Sequence, residues 1–242
     1  MDLNEEYSAL YGGVLQEQTL YIEHCIQAIL KLYNRLPFKP DKLVIIAHSI
    51  GGKLAQKLLT SPNTAPYIST VITLASPMDK PVLNMDVNTY NFYEDIESYW
   101  TENRQIVATK TNNSCCSKAR RSAYDQTESR ILDDKLLISI GGGNKDLLVH
   151  SGLTDSKFSD LHVMTHAMSN VWVSSDHLCI VWCLQLVLVI NRFLYSIIEP
   201  IKYKSTISKG LSFIDDKVIR LEKAEYYFQV SSLIFYVTIT FI

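Results

Sequence analysis

The run Leu43-Val-Ile-Ile-Ala-His-Ser-Ile-Gly-Gly52 is where the types and spacing of residues carry most chemistry. Its apolar, β-branched first half reads as a strand, Gly51 onward reads as a helix, and Ser49 falls on the turn between them. A serine on a strained strand-to-helix turn presents its hydroxyl clear of the backbone, the arrangement of a nucleophile in acyl-transfer chemistry. Small residues two before and two after that serine let the chain fold back without clashes. Here they are Ala47 and Gly51, so a methyl stands where glycine is usual at the first position. The helix start directs the backbone N–H of Ile50 toward the same point, supplying one half of an oxyanion hole.

A serine hydroxyl is a poor nucleophile at neutral pH, so it needs a histidine base and a carboxylate that orients the base. In a strand–turn–helix elbow the order along the chain is serine, acid, histidine. Of the six histidines, His24 precedes the serine and His48 adjoins it and is expected to point elsewhere, which leaves His150, His162, His166 and His177. His177 follows the last acidic candidate and precedes a long apolar segment, which makes it the first choice, with His166 second. For the acid, Asp146 comes directly after a strand and the glycines Gly141-Gly-Gly143, where a tight turn can bring a carboxylate over the end of the sheet. Asp155 and Asp160 are alternatives. Asp176 adjoins His177, and neighbours in an extended loop point apart, so it reads as a turn residue.

The elements that must position these groups alternate. Thr19 to Tyr33 places Ile22, Ile26, Ile29, Leu30 and Tyr33 on one helical stripe, and Pro37 and Pro40 end it. Lys42 to Ala47 reads as a strand buried on both faces, Gly51 to Leu59 as a helix, and Thr70 to Ala75 as the next strand. That unit builds a parallel sheet with ligand chemistry at the carboxyl ends of its strands. Pro81 to Trp100 is aromatic and acidic and reads either as a lid over the site or as a surface helix with an aromatic inner face. Residues 110–128 read as a loop, Lys135 to Ile140 as a third strand, and Leu178 to Ile198 as a buried core helix. Such a chain is expected to be one α/β domain of the α/β-hydrolase type, a mostly parallel sheet flanked by helices, over residues 1–203, with a tail at 204–242.

Composition narrows the classes. With 242 residues, 47% hydrophobic and 20% charged, the chain suits one buried core, and a net charge of −2 lacks the positive field of a nucleic-acid binder. Five scattered cysteines form no C-x-x-C pair or zinc spacing, so no metal is expected; Cys179 and Cys183, four apart, read as two thiols on one face of a helix. The acidic N-terminus has no signal-peptide pattern, and Gln185, Asn191 and Arg192 interrupt the apolar segment that would otherwise cross a bilayer.

Several longer blocks carry a family resemblance: Asp2-Leu-Asn-Glu-Glu6, Ala9-Leu-Tyr-Gly-Gly13, Ala47-His-Ser-Ile-Gly-Gly52, Ile72-Thr-Leu-Ala-Ser-Pro77, Pro81-Val-Leu83, Tyr99-Trp100, Ser139-Ile-Gly-Gly-Gly143 with Asp146, and Trp172-Val-Ser-Ser-Asp-His-Leu-Cys-Ile-Val-Trp182. In these the chain resembles the GPI inositol-deacylases, lipase-like enzymes of the endoplasmic reticulum membrane with a lumenal catalytic domain. The resemblance implies a Ser49, Asp146, His177 triad that hydrolyses the acyl ester on the inositol of a glycosylphosphatidylinositol (GPI) anchor. It implies no metal or organic cofactor, and a GPI lipid or GPI-anchored protein together with membrane lipid as partners. Members carry, before the point matching Asp2, a membrane span and a strand whose following His-Gly-type loop gives the second oxyanion donor, and a membrane region later. The expectation is therefore a member truncated at both ends, lacking the first strands of its sheet. On the residues alone two other readings stay open: a lipase or thioesterase acting on another acyl ester, since a triad sets the reaction and not the acyl donor, and a catalytically silent fragment.

Overall fold

The protein is described here by a computed structural model, which covers residues 11–35, 40–112, 132–200 and 211–229. Four strands, β1 (Leu43–His48), β2 (Ile68–Leu74), β3 (Leu136–Gly141) and β4 (Leu161–Met164), lie side by side in that order, and all are parallel. Parallel neighbours need crossover connections, and helix α2 (Ile50–Leu58) makes the one between β1 and β2. This is the α/β architecture that the alternating pattern predicts. β4 escaped the sequence reading because four residues carry too little periodicity.

Side chains alternate across the sheet into two cores. Leu43, Ile45, Val71 and Leu137 pack on one face with α2, α1 (Leu15–Leu32) and the buried stripe Phe92, Tyr93, Ile96 and Trp100 of α3 (Val87–Asn112). Ile72, Leu74, Leu136, Ile138 and Ile140 pack on the other face with α4 (Leu184–Ser196) and α5 (Lys217–Phe228). From Val87 the aromatic segment is thus a helix with an aromatic inner face, Phe92, Tyr93 and Trp100 facing the core while Tyr90 stays exposed. β2 is buried along its whole length, whereas β1 is not: Ile46 is 47% exposed. The reading of 42–47 as buried on both faces is corrected by position, because among the described residues β1 has a neighbour on one side only.

The apolar segment from Leu178 also differs. Its first part forms a 3₁₀ turn, Cys179–Val181, with Leu178 65% and Trp182 68% exposed, and the helix starts only at Leu184. Cys183 is buried ahead of that helix and Cys179 is not, so the expected pair of thiols on one helical face does not form. Residues 204–242 include α5, whose Ala224 and Phe228 enter the second core and whose buried Arg220 donates to the carbonyl oxygens of Ser69 and Asp134 and to Thr70 Oγ1. An antiparallel pair, β5 (Ile198–Pro200) and β6 (Leu211–Phe213), precedes α5. Most of the expected loop at 110–128 lies outside the described residues. Among the described residues no helix is long and apolar enough to cross a membrane.

Candidate active site

Ser49 stands where β1 stops and α2 starts, with φ 55 and ψ −133. An L residue with a side chain rarely adopts a positive φ, and here the backbone is held there from both sides: Ser49 N–H donates to Leu74 O (3.0 Å) and Gly52 N–H donates to Ser49 O (3.0 Å). Ala75, at the end of β2, and Trp172, on the way to His177, also have positive φ (48 and 53). Ile50 opens α2, so its N–H is among the first-turn donors that a helix leaves without an internal partner. The steric demand of the turn falls elsewhere than expected. A Cβ on Gly51 would meet only Ala47 Cβ, at 3.9 Å, whereas one on Gly52 would lie 2.3 Å from Ser76 Oγ and 2.6 Å from Ser76 Cβ.

His177 Nε2 lies 2.9 Å from Ser49 Oγ, and His177 Nδ1 lies 3.1 Å from Asp146 Oδ2. An ionised carboxylate only accepts, which puts the proton on Nδ1 and leaves Nε2 free to accept from the serine hydroxyl. The other carboxylate oxygen of Asp146 accepts from the backbone N–H groups of Leu148 (3.0 Å) and Val149 (2.8 Å), so the acid is buried and both its oxygens are satisfied. The glycines after β3 bring the two loops together. Ser175 N–H donates to Gly142 O, and a Cβ on Gly142 would sit 2.6 Å from Ser175 O. Gly143 has φ 91 and its carbonyl accepts from Asp146 N–H.

The other candidates are occupied elsewhere. His150 Nδ1 accepts from Gly152 N–H, and His162 bonds Thr154 Oγ1 and faces Asp155. His166 sits exposed against Gly143. Asp160 accepts from Leu137 N–H and pairs with Lys217, and Asp155 accepts from Ser156 N–H. Asp176 caps the turn at Leu178 and Cys179, in keeping with a turn role.

His48, set aside as a base in the sequence, lies beside His177. Its Nε2 lies 2.7 Å from His177 O, and its ring centroid is 4.7 Å from that of His177. It is the last residue of β1 and adjoins Ser49, and its contact with the His177 backbone has no signature in the sequence. Burial is the main cause that lowers the His48 pKa; the hydrogen bond to the His177 backbone opposes it. Among the described residues no cluster of three or more His, Cys, Asp or Glu could hold a metal ion.

A family model described as the PGAP1-like alpha/beta domain matches residues 1–197. The chain is 44% identical over 216 residues to the GPI inositol-deacylase of Drosophila melanogaster, an alignment that covers 87% of this chain and 22% of that protein. It is 36% identical over 205 residues to the enzyme of that name from Xenopus laevis (82% and 19% covered) and 36% identical over 230 residues to that from Rattus norvegicus (91% and 22%). The chain therefore spans about a fifth of the length of these curated relatives.

Proposed function

Since the chain belongs to the PGAP1-like alpha/beta domain family, we propose that it is a serine hydrolase that removes the acyl chain from the inositol of GPI anchors, with Ser49, His177 and Asp146 as its triad. The observation that carries this reading is the hydrogen-bonded series from Ser49 Oγ through the His177 ring to Asp146, assembled from three separate strand ends and loops. Ser49 Oγ attacks the acyl carbonyl as His177 Nε2 takes its proton, and the carbonyl oxygen acquires negative charge that the Ile50 N–H stabilises. The tetrahedral intermediate expels the inositol oxygen, which receives the proton from His177. Water, deprotonated by the same nitrogen, then attacks the acyl-serine and releases a free fatty acid and Ser49. Asp146 holds the imidazole in the tautomer that both steps need.

A lipid acyl donor is supported by the loops that carry the triad. Leu147, beside Asp146, is 92% exposed, and Leu148, Leu178, Val181 and Trp182 are exposed along the two loops around His177, an apolar rim suited to an acyl chain or a lipid surface. The relatives' name indicates the inositol-linked acyl ester as the particular substrate and a GPI lipid or GPI-anchored protein as the partner. The proposed location is the lumenal face of the endoplasmic reticulum membrane.

Two measurements test this. A fluorophosphonate probe is expected to label the purified chain, with labelling abolished by Ser49→Ala and reduced by about 10³-fold or more in His177→Ala. A folded chain that does not label would overturn the enzyme. Inositol-acylated GPI carrying a radiolabelled acyl group is expected to release labelled fatty acid. Release from other acyl esters but never from the inositol would replace the deacylase with a general lipase or thioesterase.

A further inference from the structure

We infer that His48 is a positioning residue for His177, tethering the histidine loop to the nucleophile's strand through a hydrogen bond to the His177 backbone carbonyl and holding the His177 ring by direct packing. The inference rests on the reading of Ser49, His177 and Asp146 as a catalytic triad. His177 lies in an irregular segment whose other anchors, such as Ser175 N–H on Gly142 O, tie it toward β3 and its glycines. His48 is the last residue of β1 and pairs in register with Leu74 of β2, so its ring is carried by the sheet. The 2.7 Å contact between His48 Nε2 and His177 O joins residues 129 apart in sequence and references the base directly to the strand that ends at Ser49.

The chemistry of the contact specifies its form. A carbonyl oxygen only accepts, so Nε2 of His48 carries the proton and, in the neutral ring, Nδ1 is bare. The two rings lie 4.7 Å apart at 44°, so tipping of the His177 ring away from Ser49 and Asp146 on that side meets the His48 ring. A charged donor would serve the reaction badly. His177 becomes an imidazolium as the serine attacks, and a second cation against it would oppose that step. Burial disfavours a charge on His48 most; the hydrogen bond to the His177 backbone favours it, the His177 ring disfavours it and Asp146 favours it. A neutral imidazole with a fixed Nε2–H supplies the donor without the charge.

Glutamine and asparagine separate the tether from general packing, because a glutamine amide nitrogen reaches the place of Nε2 and an asparagine nitrogen reaches only that of Nδ1. The rate of fluorophosphonate labelling at Ser49 is measured for the unsubstituted chain and for His48→Gln, His48→Asn and His48→Ala, together with thermal melting of each. His48→Ala and His48→Asn are expected to slow labelling by about 10- to 100-fold, and His48→Gln to stay within about 3-fold of the unsubstituted rate. On a chromogenic acyl ester the loss is expected in kcat with KM unchanged. The downfield proton NMR signal of the His177 Nδ1–H is expected to persist in His48→Gln and to broaden in His48→Ala. If alanine prevents folding, the comparison of glutamine with asparagine carries the test. Equal rates for glutamine and asparagine, or an unchanged rate in folded His48→Ala, would overturn the inference while leaving the triad intact. No labelling of the unsubstituted chain would overturn the triad reading itself, and this inference with it.

Discussion

Single side chains at this site carry costs that the surrounding structure must offset. The positive φ of Ser49 costs about 1–3 kcal/mol, and backbone hydrogen bonds on both sides hold it in place. Lys53, one turn further along α2, carries a cost of another kind. It is buried, donates to Met78 O at 2.9 Å and lies 4.4 Å from the Tyr93 ring centroid; burial pushes its pKa from 10.5 down to about 8. Between those two values the unfolded chain keeps a proton that the folded chain has shed, so the unfolded state binds more protons and stability rises with pH across the window. Below about pH 8 both states are charged and the burial cost is present in full. Urea unfolding from neutral pH to about pH 10 is expected to show a contribution from Lys53 on the order of 2 kcal/mol, rising with pH and removed in Lys53→Met. An identical pH slope in the two chains would show that Lys53 keeps an ordinary pKa. Neither the burial of Lys53 nor its carbonyl partner was legible in the sequence, where a lysine in a helix of mixed polarity reads as a solvated position.

At the scale of elements, the turn into α2 shows which local signals hold. The strand, the elbow and the helix were legible because β-branched runs and helical spacing are short-range patterns. The demand for a glycine was assigned to Gly51 by its distance from Ser49, yet Gly52 is the residue pressed against Ser76 at the end of β2. Gly52→Ala is expected to destabilise by about 1–3 kcal/mol through overpacking and to displace the start of α2. Gly51→Ala has room for its methyl and is expected to stabilise by about 0.5–1 kcal/mol through helix propensity. Thermal melting of the two variants checks this, and the reverse order would return the steric demand to Gly51. The late start of α4 has a similar origin. Uninterrupted hydrophobicity from Leu178 reads as one helix, but Asp176 caps a separate 3₁₀ turn at Leu178 and Cys179, and regular helix resumes only at Leu184.

For the whole molecule, the question is what holds a parallel sheet between two layers of helices. Residues 217–228 do part of this work, since α5 packs against β3 and β4 and sends Arg220 to the N-terminal end of β2. Arg220→Met is expected to strand the buried carbonyl of Ser69 and the part-buried carbonyl of Asp134 and to lower stability by about 2–4 kcal/mol, read as a shift in urea midpoint. A midpoint within about 0.5 kcal/mol of the unsubstituted chain would show that α5 contributes by its apolar face alone. The segment was not legible as part of the core, because its apolar residues are sparse and its key group is a cation. By itself the sequence determined the alternation of strands and helices and the elbow at Ser49, since each depends on residues a few positions apart. For the proposed triad it left four candidate histidines, with His177 first, and a few candidate aspartates, with Asp146 first. Only the tertiary structure decided that His177 meets Ser49 across 128 residues and Asp146 across 31, that His48 turns to the His177 backbone, and that β1 is half-exposed. Those outcomes depend on the register of the sheet and on the loops that the glycines after β3 allow to touch, and neither has a short-range signature.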